Sequence, residues 1–261
     1  MGACARRACA ARWFVMELQK FYEASAARYD HDWGRVWEGA HSAFYQRLAQ
    51  AAGGPVIEMG CGTGLVLLPL ARAGVTVHGR DFSPAMLREC ECKLAAEPEA
   101  VRARVTLSRG DARYDSAGGT VALVIAPGHV ISTFCERADQ RAFLRNARSH
   151  LAPGGAFCFD VFEPDYRMLA ANNGEVWQPL AEGASIRVTH QPPWQRQLLE
   201  MRWTGPEGER TASTLHRWFT HAELQNLLEL EGFRITDEWG GFDGRAYGEG
   251  VTQQIFRAVV A

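Results

Sequence analysis

The chain has 261 residues, 47% of them hydrophobic, so it can bury a large core within one α/β domain. Its net charge of -2 gives no overall attraction to nucleic acid or to an anionic membrane, which favours a small-molecule or protein substrate. No run approaches the roughly 20 apolar residues of a membrane span. Seven scattered cysteines do not form the pattern of a disulfide framework, which favours a reducing cytoplasm.

The N-terminal segment, residues 1–15, is expected to be a disordered tail. It is rich in arginine and alanine but lacks the apolar centre of a signal peptide. A helical pattern begins near Met16, so either Met1 or Met16 could be the natural start. Two helices are predicted, Glu17 to Tyr29 and Arg35 to Ala51, joined by a polar segment at 30–34.

A glycine-rich turn follows the first predicted strand, Val56 to Met59. This apolar run contains the acid Glu58, and glycines then occupy alternate positions at Gly60, Gly62 and Gly64. A buried strand that turns sharply into a helix with bare backbone needs this composition. Such a turn is typical of a site for a nucleotide-like ligand.

Strands and helices then alternate as far as residue 161. The pattern predicts helices at Leu65–Ala73, from the cap Ser83 to about Ala96, and at Asp139–Leu151; it predicts strands at Val75–Gly79, Val105–Ser108, Val121–Ala126 and Ala156–Val161. Pro153-Gly154-Gly155 is expected to break the chain before the last of these strands. Charge-free strands separated by helices favour a doubly wound, mostly parallel sheet.

The rhythm changes after Asp160. Turn signals separate β-like runs at Ser185–His190, Leu198–Trp203 and Ser213–Phe219, which predicts an antiparallel meander added to the main sheet. A capping box at Thr220 precedes a helix to Glu231, and two strands, Phe233–Trp239 and Val251–Val260, complete the chain. We expect one domain over 16–261, with 16–51 as a helical lid and 172–219 as a substrate-side insertion.

Candidate polar groups follow each predicted strand of the parallel sheet, at the edge where such sheets bind ligands. Asp81, at nearly the expected spacing from the glycines, is suited to hold ribose hydroxyls, and Asp111 to accept from an adenine amine. The alternatives are a helix-capping Asp81 and a turn-forming Asp111. A dinucleotide site is disfavoured, because the glycines are spaced G-x-G-x-G and Glu58 would repel a pyrophosphate.

Four successive segments resemble the motifs of class I S-adenosylmethionine-dependent methyltransferases. They are E-M-G-C-G-T-G at 58–64, G-R-D-F-S-P-A-M-L at 79–87, G-D-A at 110–112 and L-A-P-G-G at 151–155, and the resemblance covers about residues 40–165. It implies a seven-stranded sheet with a reversed final strand, and S-adenosylmethionine as cofactor with S-adenosylhomocysteine as product. It also implies roles for cofactor-binding residues: Glu58, Gly60, Cys61, Gly62 and Gly64 at the methionine part, Asp81 at the ribose, Phe82 and Met86 beside the adenine, and Asp111 and Ala112 at its edge.

Within that superfamily the chain looks most similar to small-molecule enzymes of the glycine N-methyltransferase type. Tyr29 and the segment Arg35-Val36-Trp37 resemble the part that closes over the cofactor there. The resemblance implies that Arg35 binds the cofactor carboxylate and that Tyr29 lies beside the methyl group. The alternative is that this helix merely packs through Trp33, Trp37 and Phe44.

The acceptor is expected to be a small molecule methylated at nitrogen or oxygen. His129 is the candidate base, although a lone histidine is often a structural donor, and Asp160 could orient the substrate or cap a helix. Trp37, Trp177 and Arg217 are further candidates for acceptor binding. The remaining alternatives are an RNA or protein methyltransferase and a non-catalytic S-adenosylmethionine-binding module. No metal site is expected, and the chain is expected to be a monomer or a homodimer.

Overall fold

The structure is a computed structural model that describes residues 16–37, 39–116, 118–167, 176–206 and 208–261, with the side chains of residues 35–37 left out. The predicted tail at 1–15 and the predicted side-chain roles of Arg35 and Trp37 therefore lie outside the described residues. Of the helices that are described, none is both long and apolar enough to cross a membrane.

The main sheet has seven strands: β1 Val56–Met59, β2 Val77–Asp81, β3 Val105–Arg109, β4 Val121–Ala126, β5 Leu151–Phe162, β10 Phe233–Trp239 and β11 Gln253–Val260. Their order across the sheet is β10-β11-β5-β4-β1-β2-β3. β1 to β5 are parallel, whereas β11 runs antiparallel to both β5 and β10. The expected seven-stranded, mostly parallel sheet with a reversed final strand is confirmed.

Helices cover both faces of this sheet, because alternate side chains of each buried strand must leave water on opposite sides. One core contains Ile57 and Met59 with Phe143 and Leu224, and the other contains Val56 with Leu67 and Leu87. The helices that supply these residues are α4 Leu67–Arg72, α5 Pro84–Ala95, α7 Arg137–Ser149 and α8 His221–Leu230; a short α6 spans Glu99–Arg102. The doubly wound architecture is therefore confirmed.

The predicted N-cap at Ser83 is confirmed, and so is the Thr220 half of the predicted capping box, whereas the Glu223 carboxylate accepts from Gln195 and Arg217 instead. Ser83 Oγ accepts a hydrogen bond from the Met86 N–H, and Thr220 Oγ1 accepts one from the Glu223 N–H. The expected break at 153–155 is wrong, because β5 starts at Leu151 and carries these residues as a bulge in its register with β4.

Three N-terminal helices precede β1. Residues 16–25 form α1, which continues through a 3-10 turn into α2 Tyr29–Trp37, and α3 spans Ala40–Ala52 and packs on one face of the main sheet. The predicted polar joint at 30–34 is wrong, since it is helical. Its acids have tertiary partners: Asp30 accepts from Thr63 and Lys93, and Asp32 accepts from the Trp203 indole.

The predicted meander forms a separate four-stranded antiparallel sheet rather than an extension of the main one. Its strands are β6 Gln178–Ala181, β7 Ala184–Gln191, β8 Arg196–Gly205 and β9 Gly208–Arg217, and β6 was not predicted. One face of β8 presents Leu199, Met201 and Trp203 to Phe21 of α1. This apolar contact explains why the meander packs on the N-terminal helices.

Candidate functional site

The glycine turn after β1 is held against the end of β2. Gly60, Gly62 and Gly64 have φ values of 76°, 53° and 87°, which favour glycine. A Cβ at Gly64 would lie 2.7 Å from the Cys90 sulfur. The N–H groups of Gly60 and Cys61 donate to the Arg80 carbonyl at 2.8 and 3.0 Å, so the turn is fixed by the backbone of β2.

Asp81 lies at the end of β2 and is 8% exposed. Its carboxylate accepts from the N–H groups of Gly62 and Ser83, at 2.9 and 2.8 Å, and these bonds orient it toward the cavity beyond the turn. Burial raises the pKa of Asp81 to about 6, although the N–H bonds oppose that shift. The bond to Ser83 also fits the alternative, in which Asp81 supports the start of α5.

Glu58 contributes a second buried acid beside Asp81. It is 2% exposed, and its Oε2 has no hydrogen-bond partner among the residues that the structure describes. Burial, and then the charge of Asp81, raises the pKa of Glu58 well above its ordinary value. A cationic group in the cavity would supply the missing partner, because a buried carboxylate is costly when it stands alone.

One cavity adjoins the turn and opens at the carboxyl edge of the sheet, with about 1060 Å³ of space including its mouth. Most of the residues predicted to bind the cofactor border it: Tyr29, Glu58, Gly60, Cys61, Gly62, Asp81, Phe82, Met86, Asp111 and Ala112. Gly64 is not among the described residues that border the cavity; it lies in the turn next to Cys90. The structure thus brings together residues from four separate segments of the chain. The roles that the family resemblance implies for these residues require this arrangement.

Asp111 is less free than the sequence suggested. Its carboxylate accepts two parallel hydrogen bonds from the Arg113 guanidinium, and Arg113 also contacts Asp139 at 3.0 Å. A role at an adenine edge therefore requires Asp111 to share its oxygens with Arg113 or to act through its backbone.

Sequence reasoning missed several residues that border the cavity, among them Leu18, Tyr22, His41 and Phe134. Tyr22 lies edge-on to Phe82 with ring centroids 5.8 Å apart, so α1 closes over the predicted adenine site. A signal was available, because Tyr22 and Tyr29 are seven residues apart, a spacing that places side chains on one helical face. No comparable signal pointed to His41.

Asp160 lies in β5 at the centre of a buried polar cluster and is 0% exposed. It accepts from Tyr45 Oη at 2.5 Å and from the Gly128 N–H at 3.1 Å, with His41 Nε2 and His129 Nε2 at 3.7 and 3.4 Å. Burial alone would raise the pKa of Asp160, but His41, His129 and Tyr45 outweigh it and lower that pKa. Asp160 is therefore a buried, ionised acid that binds protein donors.

His129 lies on the other side of this acid from His41. Its Nε2 is 3.1 Å from Gln253 Oε1, its ring packs against Phe162, and burial lowers its pKa. His41 borders the cavity, whereas His129 and Asp160 are absent from the described residues that line it. Within the cluster, His41 is thus the histidine placed to meet a ligand.

The other acceptor-binding candidates are engaged elsewhere. Trp177 lies under the guanidinium groups of Arg187 and Arg202, at 4.8 and 4.4 Å from its ring centroid. Arg217 pairs with Glu223 at 2.5 Å and with Gln195 at 3.0 Å. Neither is part of the described cavity wall. Trp33 and Phe44 pack in apolar clusters, as the alternative for the N-terminal segment expected.

A model of the methyltransferase domain matches residues 29–238. The chain belongs to this family. The matched residues include the glycine turn, the acids Glu58 in β1 and Asp81 in β2, and the second sheet. The chain is therefore an S-adenosylmethionine-dependent methyltransferase, and the orphaned Glu58 oxygen and glycine turn fit a cationic, nucleoside-bearing cofactor.

Three similar proteins illustrate the family. The methyltransferase is 28% identical over 201 residues to the cypemycin N-terminal methyltransferase of a Streptomyces species, covering 75% of this chain and 78% of that one. The structure of the CcbJ methyltransferase from Streptomyces caelestis has a TM-score of 0.78 at 25% identity, covering 92% and 98% of the two chains. S-adenosylmethionine-bound CalS10, an amino pentose methyltransferase from Micromonospora echinaspora, has a TM-score of 0.66 at 23% identity, covering 89% and 96%.

Proposed function

We propose that this methyltransferase transfers the methyl group of S-adenosylmethionine to an amine nitrogen of a small-molecule acceptor. The observation that carries the proposal is the fully buried Asp160, whose Oδ1 lies 3.7 Å from Nε2 of His41, a residue of the cavity wall. A buried negative charge attracts a cationic acceptor, and an imidazole beside it can take a proton. A neutral alcohol lacks the positive charge that this acid attracts, so nitrogen is favoured by the charge and not by the base.

The names of two similar proteins support nitrogen as the target. The cypemycin enzyme is described as an N-terminal methyltransferase, and CalS10 as an amino pentose methyltransferase. Leu18, Tyr22 and Phe134 add an apolar and aromatic border to the cavity, which suits the body of a small amine.

Methyl transfer requires little of the protein beyond positioning the acceptor and the cofactor. The cofactor supplies a methyl group already activated on a sulfonium, so the protein mainly aligns the acceptor and excludes water. Orientation of this kind is worth roughly 7–11 kcal/mol. The N-terminal helices α1 and α2, which place Leu18, Tyr22 and Tyr29 at the cavity, would form the cover.

The test is a panel of matched acceptors, with release of S-adenosylhomocysteine as the readout and mass spectrometry of the product. Each amino sugar is paired with its parent sugar, and each peptide with its N-acetylated form. We expect turnover with members that carry a free amine and none with their partners. Methylation of the amine-free partners at equal rates would refute nitrogen as the target.

A peptide amine is a second candidate, because the cypemycin enzyme aligns over three quarters of the chain. Turnover of free peptides with no turnover of amino sugars would favour it. We also propose a cytoplasmic location and a monomeric or homodimeric state, the latter to be measured by light scattering during gel filtration.

A further inference from the structure

His41 stands where the cavity meets the buried acid. It lies in the first turn of α3, is 3% exposed, and borders the cavity. Its Nε2 is 3.7 Å from Asp160 Oδ1, and its ring packs edge-on against Phe242 at 4.6 Å between centroids. An imidazole held by packing, with a carboxylate behind it, is the arrangement in which histidine accepts a proton during catalysis.

Asp160 is fixed independently of His41. Tyr45 Oη and the Gly128 N–H both donate to it, so its position does not depend on a ligand. The acid is ionised, and a negative charge at this distance stabilises an imidazolium. The pair can therefore hold a proton taken from the cavity.

The other acids that border the cavity have different partners or roles. Asp81 is bound to the glycine turn, Asp111 is paired with Arg113, and Glu58 lies beside Asp81 at the turn. Burial raises the pKa of Tyr22 and of Cys61, so both keep their own proton near neutral pH and do not act as bases. Within the described wall, His41 is the imidazole.

We propose that His41, supported by Asp160, is the catalytic residue that removes the proton from the acceptor amine, in place of His129. The inference rests on the proposed amine acceptor. The ammonium of the acceptor gives one proton to His41 and becomes a neutral amine. The amine lone pair then forms the new N–C bond as the C–S bond breaks, leaving its electron pair on sulfur. The products are S-adenosylhomocysteine and a methylated ammonium, and the imidazolium releases its proton to solvent.

The titratable groups around His41 belong to four elements. Asp160 lies on β5, Tyr45 on α3, Glu58 on β1, and His129 on the loop after β4, where it opposes a second positive charge on His41. Glu58 also borders the cavity, so a preference for a cationic ligand is assigned to His41 by comparison with the His41 variants, in which Glu58 is unchanged.

The test compares two cofactor analogues and needs no acceptor. Sinefungin carries an amine-bearing carbon where S-adenosylmethionine carries its methylated sulfur, whereas S-adenosylhomocysteine carries only the sulfur there; the two analogues are otherwise alike. An imidazole nitrogen of His41 that accepts a proton can accept a hydrogen bond from the sinefungin ammonium, a donor that S-adenosylhomocysteine lacks. At one pH, the preference of the wild type for sinefungin over S-adenosylhomocysteine should be about tenfold larger than that of a variant without this acceptor, measured by calorimetry.

The variants separate the competing assignments. His41→Leu, or His41→Phe if the first fails to fold, removes the acceptor and should abolish that preference while S-adenosylhomocysteine still binds. His129→Asn should keep it, and so should His78→Gln, a histidine outside the described cavity wall that is hydrogen-bonded to Ser108 at 2.8 Å. In ¹⁵N-histidine spectra of the wild type, the His41 signal should respond to sinefungin more than to S-adenosylhomocysteine.

Three results would overturn the proposal. They are an unchanged preference for sinefungin in both His41 variants, an equal loss of affinity for both analogues, which would assign His41 to a shared part of the cofactor, or loss of the preference only in His129→Asn. Because no acceptor is used, a negative amine panel and a negative analogue comparison are separate results.

Discussion

The Asp81→Asn variant should lose cofactor affinity and gain stability at the same time. Asp81 is buried, with a pKa of about 6 against an ordinary value of 3.8. Each unit of pKa shift corresponds to about 1.4 kcal/mol, so keeping this carboxylate ionised costs the folded protein about 3 kcal/mol at pH 8. The amide removes that cost but weakens one of the two N–H bonds, worth about 1 kcal/mol. The net gain in the free energy of unfolding should be about 1–2 kcal/mol.

The sign of the pH dependence follows from the direction of the shift. Because the folded-state pKa of Asp81 is raised, the folded form binds more protons than the unfolded form between about pH 4 and pH 6. The cost is absent below the unfolded pKa, grows through this window and is complete above pH 6. The stability advantage of Asp81→Asn should therefore appear as the pH rises from about 4 to 7, in urea unfolding at several pH values.

Cofactor binding should move in the opposite direction. Hydrogen bonds from the ribose hydroxyls to a carboxylate contribute roughly 1.5–3 kcal/mol to the binding free energy. S-adenosylhomocysteine should therefore bind about 10- to 150-fold more weakly to the variant. Calorimetry on the same preparations checks this. Unchanged affinity would refute the ribose assignment, and a variant less stable at every pH would refute the estimated cost of burial.

Three further changes test other parts of the site. Glu58→Gln should weaken S-adenosylmethionine binding by about tenfold, because the cation then meets an amide rather than a carboxylate; equal affinity by calorimetry would contradict this role. Gly64→Ala should lower the free energy of unfolding by roughly 1–3 kcal/mol, measured by thermal unfolding, because its φ is 87° and the Cys90 sulfur lies 2.7 Å from the new Cβ. Gly205→Ala is the matched control and should cost far less, because there is open space around Gly205. Tyr45→Phe should raise the pKa of Asp160 and destabilise the fold by roughly 1–3 kcal/mol above the unfolded pKa of that acid, with a smaller loss at low pH; a pH-independent loss would contradict the role of its hydroxyl.

The sequence predicted the main sheet well because its signals are local. The charge-free run at 121–126 and the glycine turn at 60–64 leave few alternatives to a buried parallel strand and a tight turn. The two helix caps were also predicted correctly, since each depends on a side chain and an N–H three residues away. Helix ends were less accurate, and the 153–155 bulge was missed because its conformation depends on the register with β4.

The second sheet and the helical 30–34 segment depended on contacts between distant residues. Asp32 bonds Trp203, and Phe21 packs on Met201, so α1, α2 and the meander stabilise one another. The sequence around Asp32 or Phe21 contains no pattern that indicates its distant partner. A separate sheet and an added meander have the same strand pattern in the sequence, and only the tertiary contacts distinguish them.

The cofactor was predicted from the sequence itself, because the glycine turn and Asp81 are recognised by residue type and spacing within short motifs. The acceptor side was decided only by the tertiary structure. His41 and His129 are the same residue type, and both lie near Asp160. Of the two, only His41 belongs to the described cavity wall, because α3 packs against β5 and Phe242. Which side of a buried acid faces the ligand is a property of three packed elements, and no single segment encodes it.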